Sequence, residues 1–265
     1  MNIASALIEF GERSLRIGTN GISYYDILFY SGFVGLMIYL LVIRKHYNYT
    51  VFQTVAFAVV VYTVTVLWMF FLFTFEQWVR SGFKTWMFTG GNNIVRVFWW
   101  LGVFVLPVSL ILKMGYFKAL DFVSPCLCIN HGIAHFGCIF AGCCHGYPCD
   151  WGIYSNNAGH KCFPNQPIEA IVAIGIAVYI WNRERKKGYG KNPDGLSFPI
   201  MLMLFGYSRF FLEFLRDNDK IIFKDLHIGS IPLGISALAI HALVNAVIGT
   251  IAYFIIKKYN AKKQA

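Results

Sequence analysis

The run GIAHFGCIFAGCCHGYP, residues 132–148, decides how the rest of the chain is read. It lies inside Cys126–Cys162, which holds all seven cysteines and four of the seven histidines. Cys128, His131, His135 and Cys138 are spaced 3, 4 and 3 apart, so one helix carries all four on a single stripe. The residues on either side are apolar, and histidines buried in such surroundings need partners.

Working outward, the composition identifies the surroundings. Of 265 residues, 57% are hydrophobic, 18% aromatic and only 14% charged. A soluble domain carries roughly 25% charged residues, and the mean hydropathy of +0.55 points the same way. The formal charge of +10 does not indicate nucleic acid, because most of the 23 basic residues fall in short tracts between apolar runs. Cytoplasmic loops of a membrane protein read this way.

About 20 apolar residues cross a bilayer. Seven candidate spans follow: Tyr24–Ile43, Val51–Phe75, Asn93–Leu112, Ala119–Cys144, Pro167–Trp181, Leu196–Leu215 and Leu233–Ile256. The fourth is interrupted by Pro125 and glycines, and the fifth is short. Basic loops after the first, third, fifth and seventh spans alternate with near-neutral ones. The positive-inside rule then puts the N-terminus outside and the C-terminus in the cytoplasm. The fold expected is an all-α integral membrane protein of about seven transmembrane helices. It forms one domain, with residues 1–23 as an outer arm, 24–256 as the bundle and 257–265 as a basic cytoplasmic tail. Residues 1–20 lack the pattern of a secretory signal and suit either an interfacial helix or a loosely ordered terminus.

Some polar residues stand out against this background. Arg209, Glu213 and Arg216 put plus, minus, plus on one helical face. A charge at mid-bilayer costs about 2.5–3.5 kcal/mol, so the face is either a packing ion pair or an anion site. The arginine fork suits phosphate. Gln166 and Glu169 start the fifth span, where Glu169 can cap a helix N-terminus. His241 and Asn245, four apart in the last span, suit hydrogen bonds between helices. Arg96 beside Trp99 and Trp100 reads as a snorkelling anchor.

The cysteine–histidine stripe leaves three readings open. Cys128, His131, His135 and Cys138 offer donors that zinc or copper prefers. Cys149 and Cys162 could bridge in the outer loop. Cysteine also packs as a small hydrophobe.

The segments LDFVSPCLCINHGIAHFGCIFAGCCHG (120–146), FPNQPIE (163–169) and FGYSRFFLEFLRDND (205–219) resemble the fourth-span signature, the His-Pro motif and the Arg-x-x-x-Glu-x-x-Arg segment of the prolipoprotein diacylglyceryl transferases. YYDILFYSGF (24–33) is similar to the start of their first span. The resemblance implies transfer of a diacylglyceryl group from phosphatidylglycerol to the thiol of a lipobox cysteine in a prelipoprotein, in lipoprotein biosynthesis at the bacterial plasma membrane. It implies a multi-pass transferase without a cofactor, whose partners are phosphatidylglycerol, the prelipoprotein signal peptide and membrane lipids, with no nucleic acid. By motif position, Arg209, Arg216, Gln166, Glu169 and Tyr25 match substrate-binding residues, while Glu213, His135 and His131 become the catalytic candidates. The chain departs from the pattern at three of these places. His135 stands where the signature has arginine, Cys143 where it has glutamate, and Phe163 where the His-Pro motif has histidine. The histidine of a His-Gly-Gly motif is also missing beside Gly90–Gly91. Two other functions stay open: a relative with a Cys/His metal or thiol-redox site, and a non-catalytic lipid-binding membrane protein.

Overall fold

The structure, a computed structural model, describes residues 24–84, 94–155, 157–191, 193–217, 221–223, 227–228, 231–232 and 235–264. The arm 1–23 and Gly90–Gly91 lie outside the described residues. Among the described residues there are seven α-helices: α1 Tyr24–Ile43, α2 Val51–Arg80, α3 Phe98–Ile111, α4 Tyr116–Ala141, α5 Asn165–Lys186, α6 Ser197–Glu213 and α7 Ala237–Gln264. Four helical segments are long and apolar enough to cross a membrane: Ile27–Tyr47, Val51–Val79, Tyr116–Ala141 and Ala237–Lys262.

The helix ends have local causes. At the start of α2, the Thr50 hydroxyl accepts from Gln53 N (3.1 Å) while Gln53 Oε1 accepts from Thr50 N (2.9 Å), a reciprocal capping box. Gln53 Nε2 also donates to Leu112 O at 2.8 Å, tying this end of α2 to the end of α3. α4 runs through Pro125 and stops at Gly142, which adopts a left-handed φ of 64°. The expected fourth span, 119–144, is therefore too long at its C-terminal end, and Cys143 and Cys144 belong to the loop after the helix. The third expected span divides into a 3₁₀ turn, Ile94–Arg96, and the short α3. α7 stays helical to Gln264, through the lysines of the expected tail.

α4 is the axis of the fold. Its apolar window is 72% buried, against 22% for α1 and 28% each for α2 and α7. It packs against α1, α3, α5 and α6. Gly132 lets α5 approach: a Cβ there would lie 2.7 Å from Ile174 Cγ1 and 3.0 Å from Ala170 O. Gly206 does the same between α6 and α7, where a Cβ would meet Ala246 N at 2.4 Å. α1 and α2, by contrast, leave large side chains such as Tyr30, Ile38, Phe52 and Leu67 exposed, as lipid-facing helices do.

Between α4 and α5 the chain forms an antiparallel hairpin, β1 Pro148–Ser155 with β2 His160–Cys162. The apolar-span pattern contains no signal for it. Its base is stitched to the end of α6: Gly146 N donates to Phe163 O (3.1 Å), Tyr147 N to Leu215 O (3.2 Å) and Asp217 N to His145 O (3.2 Å). The C-terminal ends of α4 and α6 and the N-terminal end of α5 thus meet at one end of the bundle, the hairpin end. The loop joining α5 to α6 lies at the other.

Arg96 is a correction to the sequence reading. It is not a snorkelling anchor but is buried, with Nε and Nη2 each 2.9 Å from a Glu76 carboxylate oxygen. His241 Nε2 shares Glu76 Oε1 at 2.8 Å, and Asn245 accepts from Trp99 N and donates to Val95 O. These are the interhelical bonds that the spacing of His241 and Asn245 suggested.

Candidate functional site

At the hairpin end, three helices bring their ionisable residues to one point. α4 supplies His131 and His135, one turn apart, and the two rings lie 4.4 Å apart, centre to centre. α5 supplies Glu169, which is 2% exposed and does not cap its own helix. α6 supplies Arg209, 1% exposed. All converge on Glu169 Oε1: His131 Nε2 at 2.9 Å, His135 Nε2 at 3.3 Å and Arg209 Nε at 3.0 Å. Because a carboxylate only accepts, each facing nitrogen carries a hydrogen. His135 faces the carboxylate with Nε2, which suits its Nε2–H form when neutral, with Nδ1 as the acceptor.

Arg209 continues the network. Its Nη2 lies 2.7 Å from Glu213 Oε2, and Arg216 Nη1 reaches the same oxygen at 3.4 Å. Ser236 Oγ donates to Glu213 Oε1 at 2.7 Å, which links the network to the start of α7. The plus-minus-plus face read from the sequence is present, but it extends through Glu169 to the histidines of another helix. Gln166 is nearby and does structural work: its Nε2 donates to Cys143 O at 2.8 Å.

The network is incomplete. His135 Nδ1, Glu169 Oε2, Arg209 Nε and Nη1, and Arg216 Nε are buried without a hydrogen-bond partner among the described residues, although Arg209 Nε is ion-paired with Glu169. Buried polar atoms are nearly always paired with protein or water, so five together in one cluster single it out as the candidate site.

A cleft opens onto the cluster. It is lined by apolar side chains of α1 and α2, including Leu36, Leu40, Phe57 and Val61, and by α4 from Val123 to Cys138. At 1.5 Å per residue, the α4 stretch is about 22 Å long, the scale of an extended acyl chain. Near the cluster the cleft's polar lining is Asn130, His131, His135, Cys138, Cys144 and Arg216, and on α2 it includes Tyr62 and Thr65. Of the residues nominated from the sequence, His131, His135 and Arg216 thus line the cleft, while Arg209, Glu213, Glu169 and Gln166 do not. Tyr25 lies in the first turn of α1, and its side chain is outside the described residues.

The suggested ligand stripe sorts differently in space. Cys128 is part of the hydrophobic core. His131 and His135 group with Glu169, and Cys138 groups with Cys143 and Cys144, the donor atoms of each set lying within 4.8 Å of one another. All seven cysteines are free thiols, including Cys149 and Cys162, which the sequence offered as a bridge.

Sequence comparison places these features in a family. The family model described as prolipoprotein diacylglyceryl transferase matches residues 13–255. Phosphatidylglycerol–prolipoprotein diacylglyceryl transferase 2 of Clostridium perfringens is 27% identical over 123 residues, 42% of this chain and 45% of that protein. Phosphatidylglycerol–prolipoprotein diacylglyceryl transferases of Clostridium tetani and Pseudoalteromonas atlantica are 27% identical over 110 residues and 28% over 165. Those matches cover 39% and 58% of this chain, and 43% and 54% of the relatives. The chain therefore spans about half the length of the curated relatives it matches.

Proposed function

Because the chain belongs to the prolipoprotein diacylglyceryl transferase family, we propose that it transfers diacylglyceryl from phosphatidylglycerol to the thiol of a lipobox cysteine. The protein would sit in the bacterial plasma membrane as seven spans, N-terminus outside and C-terminus in the cytoplasm, with the hairpin end facing out. The observation that carries this reading is the apolar cleft with Arg216, His131 and His135 in its wall.

Each part of the reaction has a place there. The acyl chains lie along the apolar wall, between α1, α2 and α4. The phosphate meets Arg216, whose Nε is free to donate. Arg209 is a positioning residue: two carboxylates already engage it, and it fixes Glu169 and Glu213. Glu213 holds both arginines through one oxygen. Tyr25 keeps its family-based role as a substrate contact.

His135 serves as the base. Glu169 orients its Nε2–H, and Nδ1 accepts the proton of the incoming thiol. The thiolate attacks the glyceryl carbon, an S–C bond forms, and the C–O bond to phosphorus breaks. The bonding electron pair leaves on glycerol phosphate, which becomes a dianion and is stabilised by Arg216. Two arginines and two glutamates sum to zero, so with His135 neutral the cluster leaves the base free, and the imidazolium formed when it takes the thiol proton offsets part of the charge on the leaving dianion.

The test is transfer of labelled diacylglyceryl from phosphatidylglycerol to a synthetic lipobox peptide by the protein in nanodiscs. A labelled thioether with the cysteine peptide, and none with its Cys→Ser version, is expected. No product, with an active relative run in parallel, overturns the reading.

A further inference from the structure

The loop after α4 has a construction that the proton transfer and phosphate contacts above do not use. α4 stops at Gly142, and two residues later Cys144 also has a positive φ, 62°. Holding a non-glycine residue in that region costs on the order of 1–3 kcal/mol. These two left-handed positions fold the chain back over the last turn of the helix. Cys143 Sγ comes to 4.0 Å from Cys138 O, and the sulfurs of Cys138, Cys143 and Cys144 all lie within 4.8 Å of one another.

The fold-back is held from several sides. Gln166 Nε2 donates to Cys143 O (2.8 Å), Ser155 Oγ to Gly142 O (3.0 Å) and Asn157 Nδ2 to Ala141 O (3.0 Å). A strained turn, braced by α5 and the hairpin, therefore presents three thiols together. Cys138 and Cys144 also line the cleft, with Arg216 and His135.

We propose that Cys138, Cys143 and Cys144 form a three-thiolate site for a soft divalent metal of the zinc class, with a fourth position open to the cleft that takes the acceptor thiol. Zn–S bonds of about 2.3 Å place tetrahedral sulfurs about 3.8 Å apart, so the three side chains need to close by no more than about 1 Å. Closed structural zinc sites use four protein ligands, whereas three plus an open position is the catalytic pattern. Three thiolates on a divalent ion carry one net negative charge, and Arg216 stands in the same cleft wall.

The open position gives the acceptor thiol a reason to ionise, because a thiol coordinated to zinc is deprotonated. Its proton passes to His135. The sulfur lone pair forms the S–C bond, and the C–O electron pair departs with glycerol phosphate. The metal keeps its oxidation state, and the neutral thioether, a weaker ligand, is released. The identity of the acceptor rests on the proposed transferase function; the metal site does not.

The experiment uses the full chain, reduced, in nanodiscs, with zinc measured by elemental analysis and Co²⁺ as a spectroscopic stand-in. One equivalent of metal and a thiolate-to-cobalt charge-transfer band are expected. Both should be lost in C138S/C143S/C144S and kept in C149S/C162S. If the triple variant fails to fold, Cys143→Ser and Cys144→Ser singly carry the test, and each must weaken the band. A lipobox peptide should shift the band, and its Cys→Ser version should not. Substoichiometric metal, or metal retained without these cysteines, overturns the site; a band indifferent to the peptide overturns the open position. Because the band is read without lipid transfer, a positive result with no transferase activity would refute the proposed function and leave the metal site standing.

Discussion

Two buried ionic clusters sit at opposite ends of α5, and they differ in completeness. At the α5–α6 loop, Asp121 accepts from Gly195 N (3.0 Å) and Ser197 N (3.1 Å) and lies 3.7 Å from Lys187 Nζ. Glu184 accepts from Tyr47 Oη (3.0 Å) and Ser197 Oγ and pairs with Lys187 at 2.8 Å, while Arg183 and Lys187 both donate to Asp194. None of these ionisable residues leaves a buried polar atom unpartnered among the described residues. The cluster at the hairpin end leaves five, and a cleft reaches it. A saturated network rigidifies a fold; an unsaturated one, held open by the same kind of helix packing, is ready to bind. The contrast teaches that burial of charge alone does not mark a candidate site, whereas several missing partners gathered beside a cleft do.

The largest effect is expected where the incomplete cluster also supports the fold. Arg209→Ala strands Glu169 and Glu213 in the core and should cost about 3–5 kcal/mol of stability, read as a lower unfolding midpoint in detergent. Arg216→Ala separates function from folding. It removes a cleft-lining cation, and transfer should fall about 10²- to 10³-fold while the midpoint moves far less than in Arg209→Ala. If both variants unfold alike, the two arginines do not divide the work as proposed.

At the complete cluster the order reverses. Asp121→Ala exposes two buried N–H groups to an apolar cavity and should cost about 2–5 kcal/mol, with transfer per folded molecule unchanged. A specific loss of transfer in this variant would break the distinction between the two ends.

The smallest effect is a pH dependence at Asp194, in the loop outside the helices. Burial opposes its charge, but hydrogen bonds from Arg183 and Lys187 hold its carboxyl below the usual carboxylate range. Its contribution to stability is present above the unfolded value of about 3.9. It is lost as pH falls through the lower folded value. Asp194→Asn should flatten the decline in midpoint below that pH; an unchanged slope would remove Asp194 from the account.

The sequence revealed what lies along single helices. Apolar runs located the helices, and the spacings 131–135 and 209–213–216 put the right residues on common faces. Glu169 was visible as a helix-start acid and a motif match, but not as the partner of His131 and Arg209, because that meeting depends on α4, α5 and α6 packing together. Ser236 as a partner of Glu213 carried no signal at all. Asp121, a lone acid in the apolar run FKALDFVSP, did carry one: a charge in such a segment needs a partner. The stripe 128–131–135–138 lies within α4, but Cys128 joins the apolar core. The grouping of Cys138 with Cys143 and Cys144 needs the helix end at Gly142, which a periodicity continued to residue 144 cannot anticipate.

The sheathing of α4 bears on how the protein is made. This helix holds Asp121, Asn130 and both site histidines, and it is the least apolar of the four segments long enough to cross a bilayer. Alone in lipid it would leave those groups unsolvated. Its partners come later in the chain: Asp121 is met by Gly195, Ser197 and Lys187, and the two histidines by Glu169 of α5. These groups of α4 are therefore satisfied only once α5 and the start of α6 have been made, and the residues best suited to chemistry depend most on what is synthesised after them.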